Sequence, residues 1–150
     1  ATKAEFYTKL ELAEIPSKCL VQLIGDSYVK LYINDKFVDE VFARRSLSLY
    51  TEYKRIKLID ITKYLKTGEN RIRVEAENFS SKGSAGFNLT TYINGNNIRF
   101  DTYSKERENN TIWYSKPYGS DEWTKPSFKK YPYEIIAPNF LTNRPSWIER

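Results

Sequence analysis

GDSYVKLYINDKFVDE (residues 25–40) and IDITKYLKTGENRIRVEAEN (residues 59–78) carry the reading that decides the fold. From Tyr28 to Asn34 the side chains alternate. Val29, Leu31 and Ile33 fall on one face and Tyr28, Lys30, Tyr32 and Asn34 on the other, the period of a half-buried strand. Asn34 and Asp35 tolerate left-handed dihedrals, so the chain is predicted to reverse into Lys36–Phe42. Asp60 is placed to accept hydrogen bonds from the free N–H groups of a one-turn helix over ITKYL, which puts Ile61, Tyr64 and Leu65 on one side. Gly68 ends that turn. Arg71–Asn78 resumes the alternation, with Ile72, Val74 and Ala76 inward and Arg71, Arg73, Glu75 and Glu77 outward.

Outward from this stretch the same period recurs. FYTKLEL, within Glu5–Leu12, reads as a first strand, AEIPSK as its turn, Cys19–Ile24 as a buried strand and Gly25-Asp26 as a further turn. ARRSLSLYTEY (43–53) breaks the period and reads as a loop, and ENFSSKGSAG (77–86) as a second. Gly86–Ile93 is the next strand, with Phe87, Leu89, Thr91 and Ile93 on one side. Asn94-Gly95 signals a hairpin into Asn96–Asp101. SKERENN is a polar tip, and Thr111–Ser115 is expected to be extended. Beyond it Pro117, Pro126, Pro132, Pro138 and Pro145 exclude helix and leave irregular chain with one or two late strands. LTNRPSWIER reads as a linker, so the expected organisation is one domain over 1–140 and a C-terminal linker or tail over 141–150.

Composition bounds the function. At 150 residues the chain is long enough to bury roughly 70% of the surface its unfolded form exposes, without metal or disulfide support. Its single cysteine, Cys19, sits in the apolar run CLVQLI and reads as a small core residue. No apolar run approaches a membrane span. The net charge is +5, from 24 basic and 19 acidic residues, but the cations alternate with acids and apolar positions and form no stripe, which disfavours a nucleic-acid partner. There is no histidine. That excludes Ser-His-Asp and Cys-His nucleophile systems and the common zinc ligand sets. P-loop, dinucleotide-binding and CxxC motifs are absent as well. A carboxylate pair about 5 to 10 Å apart is the minimum for glycoside hydrolysis, and nothing in the sequence places two acids at that spacing. The chain alone is therefore read as non-catalytic.

Residues 25–78 resemble the galactose-binding-like jelly-roll domain found beside glycoside hydrolase modules, above all the amino-terminal domain of α-L-rhamnosidases and the sugar-binding domain of β-galactosidases. GDSYVKLYINDKFV and LIDITKYLKTGENRIRV are similar to that family's strand pair and its turn-plus-strand motif. ENFSSKGSAGFNLTTYINGNNIRFDT and IWYSKPYGSDEWTKPSF extend the resemblance over residues 5–140, with Trp113 and Trp123 at the tryptophans of the tail. Asp35 stands where the family has glycine, which leaves the hairpin type open. The resemblance implies an all-β jelly-roll sandwich of two antiparallel sheets. It also implies an accessory, carbohydrate-binding role toward a neighbouring catalytic domain, with an oligo- or polysaccharide as partner. A purely structural or protein-interaction sandwich is the alternative. An extracellular or cell-surface setting is favoured.

Sugars present apolar C–H faces beside hydroxyls, so lectin sites pair an exposed ring with amides, carboxylates or arginine. Rings and arginines on loops at one end of the sandwich are the candidates: Arg44, Arg45, Tyr50, Tyr53, Phe79 and Tyr118. Structural calcium is the cofactor such domains often hold, and Asp26, Asn78 and Asp101 are the oxygen donors considered for it.

Overall fold

A computed structural model describes residues 2–26, 28–42, 57–78, 86–93, 113–124, 127–130 and 146–149. Its strands are β1 (Thr2–Leu12), β2 (Cys19–Asp26), β3 (Tyr28–Ile33), β4 (Lys36–Phe42), β5 (Lys57–Asp60), β6 (Gly68–Asn78), β7 (Gly86–Ile93), β8 (Tyr114–Pro117), β9 (Ser127–Lys130) and β10 (Ser146–Glu149). They form two five-stranded sheets, in the orders β4-β3-β6-β1-β8 and β5-β2-β7-β10-β9. Every pairing is antiparallel. This is the expected two-layer sandwich.

The alternation read from the sequence is what closes it. Val29, Leu31, Ile33, Ile72, Val74 and Ala76 of the first sheet are fully buried, as are Cys19, Val21, Leu23, Phe87 and Leu89 of the second. β1, β3 and β6 give one side chain in two to the space between the sheets, and burial of that apolar area drives the layers together. Phe6 and Phe87 meet edge to face across the layers at 5.0 Å, and Trp113 packs on Phe87 at 5.2 Å. Cys19 lies within this core, where burial foremost, and then the Asp60 carboxylate, push its thiol up to about 12. It stays protonated and unreactive at neutral pH, as its place in an apolar run implies.

The turns follow their residues. Asn34 and Asp35 both have positive φ, 52° and 66°, the geometry of a type I′ hairpin, so aspartate serves where the resemblance leads one to expect glycine. Asp60 Oδ1 accepts from the Thr62 N–H at 3.0 Å and the Thr62 hydroxyl at 2.7 Å, starting a 3-10 turn over Thr62–Tyr64. These two bonds, ahead of nearby Lys18 and Lys63, hold the Asp60 carboxyl below the usual carboxylate range. The turn is tied to β2 by Cys19 N–H on Thr62 Oγ1, at 2.8 Å, and Ile61 N–H on the Cys19 carbonyl, at 2.9 Å.

The structure departs from the sequence reading in four places. The first strand begins at Thr2, before Glu5, because β6 is long enough to pair with it through Asn78. Gly25 and Asp26 are not a turn; they extend β2 and pair with Phe87 and Gly86. The extended segment after Thr111 is β8, which starts at Tyr114. The expectation of a linker or tail over 141–150 is not met at Ser146–Glu149, since β10 lies inside the second sheet between β7 and β9. The loop read over 43–53, the Asn94-Gly95 hairpin with its return to Asp101, and the SKERENN tip lie outside the described residues.

Gly25 has a packing reason. A Cβ built there falls 2.5 Å from Val29 Cβ and 2.7 Å from its Cγ1, because the chain passes from the second sheet to the first within a few residues. Gly25→Ala is expected to lower stability by about 1–3 kcal/mol through overpacking. Urea denaturation checks it: the midpoint falls while the slope stays constant.

Candidate functional site

Register places one end of the sandwich where the notable residues gather. Asn78 pairs with Thr2, Glu77 with Tyr28, Tyr28 with Phe42, Asp26 with Gly86 and Ala4 with Pro117. Strand termini of both sheets therefore share this end. They include the residues flanking 43–56 and 79–85, with Lys57 paired to Leu23 close by.

Tyr118 stands at this end, just past β8. The Ser120 N–H donates to the Pro117 carbonyl at 3.0 Å and Gly119 has φ 83°, a turn with left-handed glycine at its third position. Tyr118 occupies the corner before that glycine and is 52% exposed. Its N–H donates to the Lys3 carbonyl at 3.1 Å, and Lys3 Nζ sits 3.7 Å from the ring centroid. Inward Ala4, Ala76 and Val29 fix the parity of their neighbours, so Lys3, Glu77 and Tyr28 point outward on the same face. Lys3 pairs with Glu77 and Glu77 with Tyr28, which gives an in-register row Tyr28–Glu77–Lys3–Tyr118 across the first sheet. The Tyr28 hydroxyl donates to Glu40 Oε2. Burial, the Glu40 hydrogen bond and charge, and weaker effects of Tyr32 and Glu77 push this phenol up to about 12, so it remains a neutral donor.

A second row crosses the middle of the same face. Phe37, Tyr32, Arg73, Tyr7 and Tyr114 are in register over all five strands. Here the rings are occupied with one another. Tyr7 and Tyr114 stack at 5.1 Å, Trp123 meets Tyr7 edge-on at 4.6 Å, Tyr32 meets Phe37 at 5.7 Å, and the Arg73 guanidinium lies 4.0 Å from the Tyr32 ring centroid. Arg73 also bonds Glu75 at 2.7 Å and Glu5 at 3.3 Å, while Lys116 reaches the other Glu5 oxygen at 3.3 Å. Glu5 and Glu75 are direct cross-strand partners, an arrangement of like charges that these cations offset.

Of the predicted ligand-binding residues, Tyr118 is placed as described. Arg44, Arg45, Tyr50, Tyr53 and Phe79 lie outside the described residues. Of the oxygen donors considered for calcium, Asp101 lies outside them. Asp26 ends β2 with only its backbone described, and Asn78 is buried at the end of β6. No group of three or more acidic or cysteine side chains able to hold an ion occurs among the described residues. The sequence reading passed over Lys3, Tyr28 and Glu77. Tyr28 and Glu77 carry no signal beyond outward parity, which every sheet-surface residue shares, and Lys3 precedes the first strand as read from Glu5.

No protein-family model matches the sequence, and no curated protein matches it. Solved structures do. An α-L-rhamnosidase of Streptomyces avermitilis, complexed with L-rhamnose, superimposes with a TM-score of 0.57 at 16% identity over 81% of this chain and 11% of that one. A Pleurotus ostreatus lectin in its apo form gives 0.58 at 18% identity, over 80% of this chain and 31% of the lectin. An α-L-rhamnosidase from Dictyoglumus thermophilum gives 0.54 at 14% identity, over 78% of this chain and 13% of that one. The chain thus spans a small part of each. What it shares with them is the fold, a sandwich of two antiparallel sheets.

Proposed function

We propose that this chain is a non-catalytic carbohydrate-binding domain serving a larger glycan-degrading enzyme. The observation that carries the reading is Tyr118, a half-exposed ring at a turn corner with an ammonium against it and the Glu77 carboxylate one strand further on. A ring for a sugar's C–H face, a donor and an acceptor for its hydroxyls are the elements of a lectin site. The fold likeness to parts of rhamnosidases and to a lectin supports the same reading, as does a sequence without histidine, which lacks the usual general base. In this reading the neighbouring catalytic domain cleaves the glycan, and this domain holds it close and raises its effective concentration.

A glycan array probed with the purified chain, with calcium and after chelation, tests the proposal. Retention of rhamnose- or galactose-containing glycans is expected. Tyr118→Ala should weaken retention about tenfold, equal to about 1.4 kcal/mol. As a surface change it should leave Tm within about 2 °C. Retention unchanged in Tyr118→Ala would move the site away from this ring. The alternative, a structural or protein-interaction sandwich, is favoured by the central row, whose rings are already covered by one another and by cations. It predicts no retained glycan at all.

A further inference from the structure

Resting on that carbohydrate-binding reading, we infer that the ligand is a neutral oligosaccharide several residues long, laid across the strands of the first sheet along Tyr28–Glu77–Lys3–Tyr118. Adjacent strands are about 4.8 Å apart, so three steps separate Tyr28 from Tyr118 by roughly 15 Å. The four groups divide into two pairs over that distance. Tyr118 and Lys3 form one end, with the ammonium 3.7 Å from the ring centroid. Tyr28 and Glu77 form the other, in direct register on neighbouring strands. A single sugar engages one pair, whereas a chain of several engages both.

Charge within the row sets the ligand class. One carboxylate and one ammonium leave it without net charge, and the Lys30 and Glu40 side chains beside Tyr28 also cancel. Such a row satisfies hydroxyls with a balanced set of donors and acceptors and gives no advantage to a polyuronate, which a cationic row would select. The parallel central row does not offer the same path. Its rings pack on one another, Tyr7 stacked on Tyr114 and met edge-on by Trp123, and Tyr32 against Phe37, and Arg73 is committed to Glu5 and Glu75, whereas Tyr118 meets a lysine side chain.

Titration calorimetry of the whole chain tests this with galactose, rhamnose, and their β-galacto- and α-rhamno-oligosaccharides from monomer to pentamer. For the series that binds, affinity should rise by about tenfold from monomer to trimer and then level off, about 1.4 kcal/mol. Glu77→Gln and Tyr28→Ala should each remove that gain, so that trimer and pentamer bind no tighter than monomer, while Tyr118→Ala weakens every length. Glu77→Gln keeps the side chain's shape, so it remains informative if Tyr28→Ala fails to fold. Equal affinity for monomer and pentamer overturns the inference and leaves the carbohydrate-binding reading standing. Tighter binding of oligogalacturonate than of the neutral series also overturns it. No binding by any member overturns both.

Discussion

Replacing Phe87 with alanine is expected to remove about 3–5 kcal/mol, a large share of the roughly 5–15 kcal/mol that holds a domain folded. Phe87 is fully buried in β7 and is a ring by which the two sheets touch, edge to face with Phe6 of β1. It also anchors Trp113, the residue preceding β8 and likewise buried. Truncation therefore opens a cavity where β1, β7 and the chain leading into β8 meet, and β8 loses its anchor with it. In a thermal melt followed by far-ultraviolet circular dichroism, Tm should fall by roughly 6–20 °C, at roughly 2–4 °C per kcal/mol for a chain of this size. Phe87→Leu, which keeps most of the volume, should recover much of the loss. A Phe87→Ala melt within about 2 °C of the parent would mean the sheets do not face each other across this ring.

Asn70→Ala is expected to cost about 3 kcal/mol, from leaving buried polar groups without partners at roughly 1–3 kcal/mol each. Asn70 is fully buried at the start of β6. Its Oδ1 accepts from the Lys66 N–H at 2.9 Å and from Asn34 Nδ2 at 2.9 Å. Its Nδ2 donates to the carbonyls of Lys66 at 2.8 Å, Gly68 at 3.2 Å and Leu10 at 3.4 Å. Asn34 in turn bonds the Tyr64 carbonyl at 3.0 Å and exchanges two bonds with the Arg71 backbone. The two amides thus lock the β3–β4 hairpin and the 3-10 turn onto β6. Asn70→Asp keeps one acceptor but turns an anion toward three carbonyls, so it should not rescue. Hydrogen exchange distinguishes this loss from a generic one: amides of Lys66, Arg71 and the Asn34 turn should lose protection before those of the β1–β6 ladder.

The residues that show what sequence alone can convey are those whose partners are close along the chain. Alternation in Tyr28–Ile33 and Arg71–Asn78, the Asn34-Asp35 reversal and the Asp60 turn each depend on a few consecutive residues, and all appear in the structure as read. The strand over Gly86–Ile93 was legible for the same reason. β10 was not. SWIE is four residues long, follows a proline, and owes its strand state to β7 and β9, which precede it by many residues. Gly25-Asp26 reads as a turn by composition, yet pairing with β7 carries it as strand. In β4 the register shift against Leu31 and Tyr32 sets Val38 aside as an extra residue, again a non-local effect. The candidate site falls in the same class. Tyr118 was legible as a ring beside glycine in a loop. Lys3, Glu77 and Tyr28 become its neighbours only through the order β3-β6-β1-β8, which no single stretch of sequence encodes.

The claim that this end of the sandwich recognises sugar is tested most directly by mapping backbone amide resonances of the whole chain during titration with the neutral galacto- and rhamno-oligosaccharides. Saturable shifts are predicted at Lys3, Tyr28, Glu77 and Tyr118, with the Asn34-Asp35 turn at the far end unmoved. Shifts confined to that far end, or spectra unchanged at every glycan concentration, would contradict the account.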